Sequence, residues 1–322
     1  MHDGRDAWPM VACRPKSRTM RSALPINAVR LQPSSLLLGV ACGTGAAFCW
    51  AAGFVAARHG ILIGLAPADI ALHRFAWAGL VLLPGALANG FAEVTAIGWA
   101  RALTLTLVAG PLQALISYLG FTMVPLGHGV VIQPAASALA GLILAVVALR
   151  EPTTARRMLG AGAIVVGLSL FGAEATTTIG RHGLLGDFLF LIAGIAWGVF
   201  GVLLRHWRIA GTRAAIVICV LALIVYAPAH GLIRGYDGLI AAGLRENLVQ
   251  VVAQGLLAGV VAIYLFARSV SLLGASRASA FPALVPAFGI VIGYLALGEV
   301  PTVYQLAGLA VVAVGFRLAL KQ

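Results

Sequence analysis

Apolar runs of near-membrane length, separated by short stretches of charged, glycine and proline residues, recur along almost the whole chain. They fall at roughly 36–57, 68–88, 102–121, 129–149, 158–173, 184–204, 214–229, 248–267, 279–297 and 302–319. About 20 apolar residues cross a bilayer as a helix. Inside hydrocarbon every backbone amide must be paired within the protein, so runs of this length are helices. The pattern predicts an all-α membrane protein with ten transmembrane helices. Proline or glycine within a run marks a kink or a close helix contact.

Composition removes the alternatives. With 61% hydrophobic and only 10% charged residues, a soluble core is excluded. Ten spans and their connections fill the 322 residues and leave no room for a further soluble domain. The formal charge of +12 does not read as a nucleic-acid surface, because the basic residues are scattered between apolar runs. They read as topology signals. With the N-terminus inside, the cytoplasmic side collects seventeen Lys and Arg residues; the outer side keeps only Arg58, Arg181, Arg234 and Arg245, and Arg74 lies within the second span. Short loops rich in Lys and Arg stay cytoplasmic, so both termini are expected in the cytoplasm of a cell inner membrane.

Residues 1–35 are polar and basic with four prolines, and predict a disordered tail that lacks the apolar core of a signal peptide. The four cysteines form no CxxC pair and three lie in apolar segments, so neither disulfide nor metal is expected. No GxxxxGK[ST] phosphate loop is present, and no cofactor is expected.

The chain also repeats itself. A shift of 148 residues superposes Pro134 on Pro282, Gly141 on Gly289, Glu151 on Glu299 and Gly167 on Gly315. A shift of 147 aligns Trp50 with Trp197 and Arg58-His59 with Arg205-His206, and Tyr118 meets Tyr264 at a shift of 146. Each unit holds five spans, residues 36–173 and 184–320. An odd number obliges the second copy to cross in the opposite sense, which predicts two inverted five-helix repeats. Inverted repeats are a signature of secondary transporters, with the solute site near the midplane between the halves.

The paired stretches VALREPTTARRMLGAGAIVVGLSL and LALGEVPTVYQLAGLAVVAVGFRL resemble the repeat end of the EamA-like family in the drug/metabolite transporter superfamily. That resemblance implies a ten-helix bundle with a central cavity, moving small metabolites such as amino acids without ATP hydrolysis, with export the favoured direction. The implied partners are a small-molecule solute, the lipid bilayer and, as a coupling ion, the proton. A channel or non-transporting scaffold is the alternative. An intramembrane enzyme is the weaker one, since it needs a nucleophile and base that only Gly167-Leu168-Ser169 even approaches.

Polar side chains inside hydrocarbon are costly unless they face a cavity or a partner, so they are the candidate site. Arg74, with His73, lies roughly 9 Å below the outer end of its span. It has two readings: an ion pair with Asp187, or a guanidinium fork for a substrate carboxylate. Trp50, Trp197, Tyr118 and Tyr264 are placed as aromatic walls of a central chamber, against the plainer reading of helix packing. Gln113 and Ser117 share a face expected to line that chamber, and Gln133 and Gln254 are weaker candidates. His128 reads as an exposed residue of the outer mouth where a proton could bind. Glu151 and Glu299 each precede a helix whose N-terminal amides they would cap. Pro134, Pro282 and Pro286 are expected to interrupt helices and permit bending.

Overall fold

The computed structural model describes residues 33–148, 150, 152–278 and 280–320, and every element among them is helical. The expected tail falls almost wholly outside these residues, and Glu151 lies outside them too. Eight helices are long and apolar enough to cross a membrane: α1 (Ser34–Leu62), α2 (Pro67–Ala88), α3 (Trp99–Gly120), α4 (Leu126–Val147), α5 (Ala155–Thr177), α6 (Arg181–Trp207), α7 (Gly211–Ile233) and α8 (Asp237–Leu273). Two shorter apolar helices follow, α9 (Phe281–Leu297) and α10 (Val303–Leu320). This is a ten-helix, multi-pass membrane protein.

Several helices are irregular where the sequence predicted simple spans. Helix α3 breaks at Gly110–Pro111, where the Gly110 backbone turns extended (φ −99°, ψ −150°). Helix α8 is broken near its start by Gly243 at φ 79°, and from Val251 to Val261 it winds as a π-helix. π-helical stretches are rare and frequent at functional sites. The prolines correct one expectation. Only Pro134 sits inside a helix as anticipated; Pro282 opens a 3-10 turn and Pro286 stands in the first turn of the α-helix Val285–Leu297. A first-turn proline lacks only an N–H that would have been unpaired anyway, so these two start a helix rather than bend one.

Helices in lipid gain little from the hydrophobic effect, so they associate through close backbone approach at small residues and through interhelical hydrogen bonds. The glycines sit where this requires. Gly255 and Gly259 bring α8 against the backbone carbonyls of His73 and Arg74 on α2; Gly289 and Gly293 bring α9 against Val130 and Leu126 on α4; Gly39 and Gly43 face Leu273 and Phe281. Gly194 and Gly198 let α6 meet the carbonyls of Gln133 and Ser137 on α4. The same pairings recur between the two halves: α1 packs on α8 and α9 as α6 packs on α3 and α4, while α2 meets α7 and α5 meets α10.

The α5–α10 seam gives a stability prediction. A Cβ on Gly167 would stand 2.6 Å from Val312 and 2.9 Å from the Gly308 carbonyl, whereas one on Gly162 would meet nothing within 4 Å. Gly167→Val is therefore expected to lose about 1–3 kcal/mol to overpacking. Its thermal midpoint in detergent should fall, while Gly162→Val should match the parent protein.

Candidate functional site

Three of the expected residues meet in the interior. Gln254, on the π-helical part of α8, is fully buried; its Oε1 accepts from the Tyr118 hydroxyl at 3.0 Å and from Arg74 Nη1 at 3.4 Å. Its Nε2 donates to the Gly53 carbonyl on α1 at 2.7 Å, and Gln250 one turn earlier does the same to Ala56 at 2.7 Å. Both amides point at α1, so α1, α2, α3 and α8 converge on one polar region. The Arg74 guanidinium reaches it from α2, close to the Tyr118 hydroxyl as well and with the Phe75 ring centroid 6.0 Å away. No carboxylate among the described residues pairs with Arg74.

Asp187 does not supply one. Its Oδ1 lies 2.7 Å from Nδ1 of His128, so the carboxylate expected for Arg74 is paired with a histidine instead. His128 is itself a correction: it is wholly buried, not an exposed loop residue. Leu126 opens α4 against α9 and α10, which turns the third residue of the helix inward. Glu174, at the end of α5, approaches the other ring nitrogen at 3.6 Å and accepts from Thr302 Oγ1 and Gln305 Nε2, both at 3.0 Å.

This cluster belongs to a polar mouth at one end of the bundle. There Arg58 Nε donates to Glu299 at 2.7 Å, His59 meets Glu246 at 2.8 Å, and Asp69 accepts from His230 at 2.9 Å and Arg234 at 3.2 Å. Glu299 corrects the cap expectation. Its second oxygen takes the backbone N–H of Leu126 at 2.7 Å, so it caps α4 rather than the α10 helix that follows it. The loop between α9 and α10 is held against α4 by the close Gly289 and Gly293 contacts, which put the carboxylate over the wrong helix for a local cap.

The remaining candidates are structural in their contacts. Trp77 Nε1 can only donate, so the Nδ1 of His73 that receives it at 3.2 Å is an acceptor, and its Nε2 carries the proton offered to Asn247 Oδ1 at 3.0 Å. Gln113 donates to the Ala193 carbonyl on α6 at 3.3 Å, and Ser117 donates to Gln133 Oε1 at 2.6 Å, so both tie α3 to its neighbours. Half-buried Trp50 packs on Phe266 and Trp197 on Phe200 in separate apolar groups. Tyr264 is 58% exposed and takes no part in the Arg74 cluster.

The sequence profile of the EamA-like transporter family matches the chain twice, over residues 37–173 and 184–321. The chain belongs to the EamA-like transporter family. Through it the protein falls in the drug/metabolite transporter superfamily. A solved crystal structure superposes with a TM-score of 0.56 at 16% identity, over 89% of this chain and 95% of that one, which is a likeness of fold. No curated protein matches at a significant level. In this EamA-like protein the first matched segment supplies Arg58, Arg74, Tyr118 and His128, and the second supplies Asp187, Gln254 and Glu299. Both the interior point and the polar mouth are therefore shared between the repeats. Sequence reasoning missed Arg58, Asp69, Glu174, His230 and Gln250 as partners. All but Gln250 lie near helix ends, where charge reads as a loop signal.

Proposed function

We propose that this EamA-like protein is a secondary transporter of small carboxylate-bearing metabolites such as amino acids. It works as an exporter of the cell inner membrane, with alternating access between two inverted five-helix repeats and both termini cytoplasmic. The observation that carries the substrate class is Arg74: a half-buried guanidinium within a membrane helix, set among neutral Gln254, the Tyr118 hydroxyl and an aromatic face with no carboxylate paired to it among the described residues, while Asp69, Glu174 and Asp187 all have polar partners. An unpaired charge in hydrocarbon is expensive, and an intramembrane ionisable group that lacks a protein counter-charge fits a solute that brings one. Guanidinium offers a carboxylate two parallel hydrogen bonds. Orientation rests on the Lys and Arg bias, which puts the polar mouth outside.

The repeat carries Arg58 onto Arg205 and Glu299 onto Glu151.

Uptake into proteoliposomes of labelled amino and organic acids, with choline as a cationic control, tests the reading. Saturable movement of carboxylates is expected; movement of none of them, by protein that remains monodisperse, overturns it. A second result bears on the same point. Gln254→Glu sets a carboxylate at the oxygen position 3.4 Å from Arg74. It should occupy the guanidinium and lower carboxylate transport at least about tenfold, equivalent to about 1.4 kcal/mol. Undiminished transport by Gln254→Glu would remove Arg74 from the binding site.

A further inference from the structure

We propose that His128, Glu174 and Asp187 form a proton-binding site whose occupancy closes the polar mouth, an inference that rests on the carrier reading above. The side chains are 0%, 3% and 8% exposed, and they come from α4, α5 and α6. Three of their atoms have no hydrogen-bond partner: His128 Nε2, Glu174 Oε2 and Asp187 Oδ2. Two carboxylates and one imidazole therefore face one another with nothing cationic between them. Around them stand neutral groups, Phe171 on α5, Thr302 just before α10 and Gln305 on it. Arg58, which lines a cavity together with Glu174, is committed to Glu299 at 2.7 Å and to the Phe121 carbonyl at 2.6 Å.

The charge count then decides the protonation. With neutral histidine and both carboxylates ionised, the cluster would hold two uncompensated negative charges out of water, at a cost of several kcal/mol each. One proton on the imidazole leaves a single negative charge, and a second on Glu174 Oε2 or Asp187 Oδ2 leaves none. The closed arrangement holds these protons. A route for them exists, because a cavity of about 330 Å³ lined by Arg58, Glu299, Thr302 and Gln305 also reaches Glu174. At ~30 Å³ per water it has room for a proton-conducting chain.

The other histidine–carboxylate pairs of the mouth lack this property. Asp69 is satisfied by His230, Arg234 and the Ala66 N–H, so its charge is already balanced. His59 and Glu246 are 33% and 22% exposed and can hydrate in place. Among the described residues the His128 cluster is the one that requires added protons, and it is split between the two repeats. His128 and Glu174 travel with α4 and α5, Asp187 and Gln305 with α6 and α10. When the halves part at this mouth, each carboxylate meets water and releases its proton. The closed state binds more protons, so falling pH favours closure and rising pH favours opening.

Spin labels at Leu62→Cys and Val300→Cys, which flank the mouth at exposed positions, measure this directly in a Cys13→Ser background. The cysteines Cys42, Cys49 and Cys219 are buried and should not label. In lipid, two distance populations are expected, with the short one growing as pH falls. Glu174→Gln and Asp187→Asn mimic the protonated groups without changing their size. Each should keep the mouth closed to higher pH, moving the midpoint by about one unit or more, a tenfold change in proton affinity. Glu246→Gln, at the same mouth, should leave the midpoint in place. Wild-type midpoints in both cluster variants, or a shift in Glu246→Gln alone, overturn the proton site and leave the carrier reading standing. A single distance at every pH overturns both.

Discussion

Arg74→Ala is expected to reduce carboxylate transport about 100-fold while the protein inserts and folds normally. Hydrogen bonds to charged groups contribute ~1.5–3 kcal/mol each, so loss of a two-bond fork removes about 3 kcal/mol of solute binding. Arg74→Lys should fall between, about tenfold down, because an ammonium is a point charge that cannot present the planar fork. The chemistry of the solute separates this role from a structural one. If Arg74 reads the carboxylate, transport of an uncharged amide analogue should be nearly unchanged in Arg74→Ala. If the guanidinium only props α2 against α8 through Gln254, both solutes should suffer alike. Proteoliposome uptake of the acid and its amide, side by side, gives the ratio. Equal carboxylate transport by parent and Arg74→Ala would end the assignment.

The contrast between these residues explains what was legible in the sequence. Ten apolar runs are visible because hydrocarbon admits only helices of a minimum length, and their positions need no knowledge of the neighbours. The paired Glu151 and Glu299, Trp50 and Trp197 were visible for a different reason, since duplication leaves its mark whatever the fold. Arg74, Tyr118 and Gln254 were each visible as polar breaks in apolar runs. Their convergence was not, because it depends on a π-helical turn in α8 and on which helices lie side by side. Asp187 shows the same limit. Its depth matched Arg74, but depth fixes only one coordinate, and its lateral neighbour proved to be His128 on α4. Arg58 was read as a topology charge and Glu174 was not singled out. Glu299 lies 241 residues from Arg58 and Gln305 lies 131 from Glu174, so no local spacing could reveal those pairs.

Glu299 and Arg58 should not be equivalent when removed, although they form one ion pair. The carboxylate makes two bonds, one oxygen to Arg58 and the other to the Leu126 N–H at the start of α4, each at 2.7 Å. The guanidinium has a second partner of its own in the Phe121 carbonyl at 2.6 Å. Arg58→Ala leaves Glu299 with its helix cap and the favourable end of the α4 dipole. Glu299→Ala leaves a mostly buried guanidinium without its counter-charge and a first-turn amide without an acceptor. Breaking a buried pair by removing one partner costs ~3–5 kcal/mol, and loss of a cap adds about 1 kcal/mol. Glu299→Ala should therefore be the more damaging single change in thermal unfolding. Adding Arg58→Ala to it should recover part of the loss, because the stranded charge is gone. The swap Arg58→Glu with Glu299→Arg should restore the attraction but not the cap, since a guanidinium cannot accept the Leu126 N–H. Its stability should fall short of the parent by about 1 kcal/mol, with the polar mouth still able to close. Equal losses in the two single variants, with a double variant at their sum, would show that the residues act separately. The α9–α10 loop would then owe its place against α4 to glycine packing alone.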